Sequence, residues 1–182
     1  MKRLAAALPL FLFASCAHVP FFKSAPKEPA AEPAPPPHER KIPSVVAPAP
    51  DFTFAAPGKD RSLRSLRGQA VVIVFARDAG SGAFKKQLKE LAPLYQELAS
   101  KGVVFIAALQ RGDGPVRSNI PFVIANDGAG VAGRYNVTEK FAIAIIGPDG
   151  NIDYQTGKTL PGGRVRDVIQ NSFTVQEVAR RH

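Results

Sequence analysis

The residues able to do chemistry are few, and most lie far apart. One cysteine, Cys16, stands in 182 residues, and the histidines are His18, His38 and His182. Between residues 51 and 181 there is neither sulfhydryl nor imidazole, so nucleophilic, acid–base or metal chemistry built on those groups has no candidate there. The carboxylates are dispersed with no Asp-X-Asp spacing, so no metal site and no cofactor is expected. One segment concentrates suggestive residues: Asp78-Ala79-Gly80-Ser81-Gly82-Ala83-Phe84, flanked by Arg77, Lys85 and Lys86. At the start of a helix, Gly80-Ser81-Gly82 could offer N–H groups to an anion, with Arg77 and Lys85 supplying charge. It carries no Walker or Rossmann spacing. Ser81 could be a nucleophile only with a base beside it. An N-cap role, its hydroxyl accepting a bond from an early helix N–H, suits it better.

Cys16 has a different context. Lys2 and Arg3 precede the uncharged apolar run Leu4–Phe13, and small Ala14 and Ser15 lead into Cys16. The run is too short to span a bilayer comfortably, so an export signal over residues 1–15 is expected. Phe13-Ala14-Ser15-Cys16 resembles the lipobox of bacterial lipoproteins, with Phe13 in place of the usual leucine. The alternative is an ordinary secretory signal with Cys16 near the cut. The resemblance implies that Cys16 becomes acylated and anchors the chain to a membrane, facing the periplasm. Two or more acyl chains hold stably where one does not. Ala17 rather than Asp after the cysteine implies the outer membrane by the enterobacterial sorting rule.

Ten of the seventeen prolines fall between Ala17 and Pro50. Such a segment cannot bury enough apolar surface to offset its ordering entropy, so residues 16–50 read as an extended tether with a domain boundary near Asp51. At roughly 3 Å per residue it would reach on the order of 100 Å. From Asp51 onward, 18 Lys/Arg face 12 Asp/Glu, leaving the domain near +6. The basic residues are scattered and not interleaved with aromatics, so nucleic acid is not an expected partner. Anionic lipid headgroups or cell-wall polymers suit an exported basic surface better, and the plainest reading of the charge is a solvated surface; the partners expected are the membrane, through the anchor, and an envelope protein.

The domain, residues 51–182, follows a legible order. Pro50–Phe54 reads as a short alternating strand. Ala70–Phe75 is a continuous apolar run, the mark of a strand buried on both faces. Phe84, Leu88, Leu91, Tyr95 and Leu98 recur at helical spacing, with Pro93 expected to kink the helix and Gly102 to end it. Val103–Ala108 is a second buried strand, giving a parallel, right-handed βαβ unit. Pro121–Ile124 reads as a short strand and Gly128–Arg134 as a short helix. Phe141–Ile146 and Ile152–Gln155 flank the turn Pro148-Asp149-Gly150-Asn151, which predicts an antiparallel hairpin. A terminal helix presents Val165, Val168, Ile169 and Phe173 on one face. The sum is an α/β sandwich around a mixed sheet.

That order resembles the thioredoxin fold. Several segments resemble its alkyl hydroperoxide reductase/thiol-specific antioxidant (redoxin) branch: Ser65–Gln69, Val74–Arg77, Gln87–Leu91, Pro121–Val137 and Ile146–Gly150. The likeness runs from Ala56-Pro57 to about Phe173 and implies a three-layer sandwich, a central mixed sheet flanked by helices. It also implies redox cysteines at the head of the helix after the first core strand, where helix dipole and free N–H groups stabilise a thiolate. Two registers map those positions, Ser81 with Phe84 or Gly80 with Ala83, and neither holds sulfur. The family's cis-proline before the third core strand maps to Phe141, where a trans peptide is expected. The resemblance therefore implies a degenerate relative that binds or scaffolds. An antioxidant oxidoreductase or an anion-binding module at Gly80–Gly82 are the alternatives.

Overall fold

The computed structural model describes residues 47–111 and 116–180, the side chains of 174–180 excepted. Cys16, the three histidines and the stretches read as an export signal and, as far as residue 46, a tether lie outside the described residues.

In chain order the strands are β1 (Ala47–Pro48), β2 (Thr53–Phe54), β3 (Arg61–Ser62), β4 (Val71–Ala76), β5 (Val104–Leu109), β6 (Val123–Ile124), β7 (Phe141–Ile146) and β8 (Asn151–Thr156). The helices are α1 (Gly82–Leu91), α2 (Tyr95–Ser100), α3 (Gly128–Arg134) and α4 (Gly162–Arg180), with a 3-10 turn at Leu63–Leu66. Six strands form one sheet in the order β1-β8-β7-β4-β5-β6, and β2 pairs with β3 in a separate ribbon. β4 is parallel to β5 and antiparallel to β7, so the sheet is mixed. Every residue of β4 and β7 is buried, which the unbroken apolar runs require of strands covered on both faces.

Strand alternation divides the core in two. Val71, Ile73 and Phe75 face a cluster with Phe52, Phe54, Leu63, Leu66 and, from α3, Val131. Val72, Val74 and Ala76 face another with Phe84, Leu91 and Leu98 from α1 and α2, and Val165 and Ile169 from α4. The result is a three-layer α/β sandwich, as read from the sequence. Among the described residues no helix is long and apolar enough to cross a membrane.

Three details differ from the sequence reading. The folded unit takes in Ala47–Pro48, upstream of Asp51, because β1 pairs with β8 at Ala47↔Ile152 and Pro48↔Asn151. A proline is tolerated there because β1 is an edge strand. Pro93 does more than kink the first helix: α1 stops at Leu91, a 3-10 turn covers Ala92–Leu94, and α2 begins at Tyr95. The helix stripe is also shifted. Phe84, Gln87, Leu91 and Leu98 are buried, while Leu88 and Tyr95 are only half-buried. Gly102 does cap α2 in the left-handed region, at φ +76°.

One carboxylate is held under strain of solvation. Asp153, on β8, has its pKa raised above the usual carboxylate range by burial; the Ser172 hydrogen bond opposes this, and the nearby Asp149 charge adds to it. Ser172 Oγ contacts both Asp153 Oδ2 and, at 2.9 Å, the Val168 carbonyl oxygen. Ser172 donates to the Asp153 carboxylate, a bond that favours the charged form and only partly offsets the effect of burial. The folded state thus binds this proton more tightly than the unfolded chain. The site costs stability at neutral pH, and the cost is relieved as pH falls through the raised folded value. Asp153→Asn should therefore raise the thermal midpoint at pH 7 and flatten its dependence toward mildly acidic pH. Equal midpoints for wild type and variant across that range would count against the assignment.

Candidate functional site

The candidate site forms where β4 ends and α1 begins. β4 is buried through Ala76, and the chain emerges at exposed Arg77. Arg77 N–H donates to the Lys140 carbonyl oxygen (3.2 Å), and Arg111 N–H donates to the Arg77 carbonyl oxygen (2.7 Å). Three neighbouring strands thus each place a basic residue at the same end of the sheet. Arg111 and Lys140 join Arg77 there only through strand register, which residue spacing along one chain does not reveal. Phe141 arrives at this end by the same register, paired with Ala76.

The turn is closed by its own acid. Asp78 Oδ1 accepts from Gly80 N–H at 2.9 Å, and the Asp78 carbonyl oxygen accepts from Ser81 N–H at 3.3 Å. Two of the three N–H groups expected to cradle an anion are therefore spent internally, and a carboxylate already occupies the turn. Arg77 and Lys85 are exposed and make no ion pair among the described residues.

Ser81 stands at the N-cap of α1, but its side chain makes no capping hydrogen bond. Its Oγ is buried without a partner among the described residues. The expected N-cap position is correct and the expected bond is absent: the hydroxyl is buried and does not reach the helix N–H groups as a hydrogen-bond acceptor. Of the two registers, Ser81 with Phe84 sets the first position at the helix N-terminus, where the dipole acts; Gly80 lies ahead of it, exposed.

The rest of the site is hydrocarbon. Phe84 is 0% exposed and Phe141 5% exposed. The Phe84 and Phe122 ring centroids are 5.8 Å apart, and Phe122 meets Phe105 at 6.1 Å. Ala79 and Ala83 pack against the same cluster. The head of α1 thus presents a buried hydroxyl at Ser81 and, three residues on, a phenyl ring sealed in an aromatic cluster.

One polar side chain escaped the sequence reading. Gln87 is fully buried on α1, its Nε2 donating to the Leu160 carbonyl oxygen (2.9 Å) and its Oε1 accepting from Leu160 N–H (2.7 Å). The signal was a lone amide three residues after Phe84 and four before Leu91, in the centre of the apolar stripe.

Comparison with known proteins follows this geometry. No curated protein matches the chain in sequence. The thioredoxin domain of a thiol-disulfide oxidoreductase from Bacteroides vulgatus superposes with a TM-score of 0.54 at 20% identity, covering 69% of this chain and 95% of that one. Thioredoxin peroxidase I of Plasmodium yoelii gives 0.54 at 17% identity, covering 74% and 92%. AhpC of Enterococcus faecalis gives 0.51 at 14% identity, covering 70% and 89%. At such identities the likeness speaks for the fold, which is thioredoxin-like. The AhpC/TSA family matches in sequence over residues 45–155, from just ahead of β1 to the end of the β7–β8 hairpin. The chain belongs to the AhpC/TSA family.

Proposed function

We propose that this protein is a membrane-anchored, periplasm-facing redoxin-fold module that binds or scaffolds in the cell envelope and catalyses no thiol chemistry. The observation that carries this reading is the head of α1, with Ser81 at the N-cap and Phe84 sealed in the core. Thiol–disulfide exchange and peroxide reduction both begin with a thiolate, and an oxygen in its place forms no exchangeable disulfide. Ser81 also lacks a base, since no described residue hydrogen-bonds its Oγ. The only cysteine is Cys16, in the lipobox-like segment. An antioxidant enzyme of the kind named among the structural neighbours would have to borrow a partner's cysteines.

In a peroxide-consumption assay coupled to thioredoxin, and in an insulin-reduction assay, the purified protein should give the buffer rate. Turnover above buffer that scales with protein concentration would overturn the proposal. For the anchor, labelled palmitate should enter the wild-type protein and not Cys16→Ser, and fractionation should place the label in the outer membrane. Equal labelling of both forms would remove the anchor.

A further inference from the structure

A cleft of about 380 Å³ opens at the end of the sheet opposite the redoxin site. It touches Val71, the first residue of β4, so roughly 16 Å of strand separates it from Ala76. Leu63, Leu66, Val71 and Ile146 supply its apolar floor, and Pro48 and Ala49 its outer wall. Ala49 N–H donates to the Gly150 carbonyl oxygen (2.9 Å), joining two sides of the cleft, and the segments beside it are held by Gly68 N–H to the Pro148 carbonyl oxygen (2.8 Å) and Leu63 N–H to that of Phe52 (2.9 Å). The cleft is therefore preformed, which spares a ligand the ordering cost.

Its polar groups are unequal. Arg64 is engaged by Asp51, side chain to side chain at 3.4 Å and through its backbone N–H at 3.1 Å. Arg67 is exposed and has no carboxylate partner among the described residues. It lies over the β7–β8 turn, where a Cβ on Gly150 would come within 3.4 Å of Arg67 Nε. The nearest acid of that turn, Asp149, spends both oxygens on Asn151, at 3.0 and 2.7 Å. Gln69 adds an exposed amide to the same rim.

One unpaired guanidinium above an apolar floor selects for a single planar anion on a hydrocarbon body. A carboxylate matches the guanidinium fork with two parallel bonds. The volume sits at the low end of ligand pockets and admits only a small molecule. We propose that this cleft binds a small apolar monocarboxylate, either a free branched-chain acid or the C-terminal residue of a peptide. The site is independent of the absent thiol chemistry.

The test is an amide-resolved NMR titration of the purified protein with N-acetyl-leucine. The amides of Gly68, Gln69, Gly147 and Gly150 should shift and saturate, with a dissociation constant on the order of 1 mM, as expected for a ligand of about a dozen atoms. N-acetyl-leucinamide, which lacks the charge, should bind at least about tenfold more weakly. Arg67→Gln should lose about as much, and Gln69→Glu should weaken binding by adding negative charge. Both residues are exposed, and the dispersion of each variant's spectrum reports its folding directly. A tripeptide ending in leucine that shifts the same amides would identify a peptide terminus as the source; shifts from the free acid alone would identify a small metabolite. Shifts that do not saturate, that are equal for acid and amide, or that survive in folded Arg67→Gln would overturn the proposal.

Discussion

Gly128→Ala should destabilise the protein by about 3 kcal/mol or more, because the new methyl group has nowhere to go. Gly128 opens α3 where the helix is pressed against the end of β5. A Cβ there would stand 2.0 Å from the Leu109 carbonyl oxygen and 2.5 Å from its carbon. Both obstacles are backbone atoms in a central strand, so no side chain can swing aside. Either α3 lifts from the sheet, uncovering Val131 and Tyr135, or β5 bends at its last residue. The thermal midpoint should fall by roughly 10 °C. Gly133→Ala is the control, since that position lies in the same helix with nothing within 4 Å of a Cβ. It should gain about 0.5–1 kcal/mol from helix propensity. If the two variants melt together, the close approach of α3 to β5 is not as described.

Gln87→Leu should cost about 3 kcal/mol, although it swaps a polar residue for an apolar one in a hydrophobic core. The Gln87 amide is the hydrogen-bond partner of both the N–H and the C=O of buried Leu160. Leucine fills most of the space and satisfies neither group, and each orphaned buried group costs about 1–3 kcal/mol. Leu160 lies just ahead of α4, whose first residue, Gly162, donates its N–H to Glu90 Oε2 at 3.0 Å. A Cβ on Gly162 would come within 2.4 Å of the Glu90 carbonyl oxygen. α1 therefore holds the entrance to α4 with two side chains and one close backbone approach. Amide exchange should accelerate most at Leu160 and Gly162 in the variant. A loss under about 1 kcal/mol in chemical denaturation, with unchanged exchange at Leu160, would show that the clamp is replaceable.

Long elements were legible in the sequence because their patterns had one physical solution. The runs in β4, β5 and β7 are apolar at every position, which only two-sided burial explains, and Gly128–Arg134 forms the helix read from its bounds. Short elements were legible only in part. β2 and β6 fall inside the strands read at Pro50–Phe54 and Pro121–Ile124, whereas β1 and β3, of two residues each, owe their pairing to what the rest of the fold presents to them; nothing local in Ala47–Pro48 announces a partner in Ile152. At the candidate site, the residue types at Ser81, Phe84 and Phe141 could be read, but not the burial of the Ser81 hydroxyl. Nor does the spacing by itself show that Asp78 folds back on the Gly80 N–H, although an acid two residues ahead of a glycine can do so. Gln87 was passed over because the stripe was drawn through apolar letters alone.

The attachment of β1 has a mechanical consequence. Any load carried by the chain ahead of Ala47 reaches the domain through two strand pairs and the single Ala49-to-Gly150 hydrogen bond. Pro48 contributes no donor to that seam. The β4–β7 and β4–β5 ladders, six residue pairs each, lie two and three ladders further in. Under tension β1 would part from β8 well before those ladders felt the force, freeing a few residues and leaving the sandwich intact. An edge strand held this lightly would act as a fuse between the sandwich and any force on the chain ahead of it.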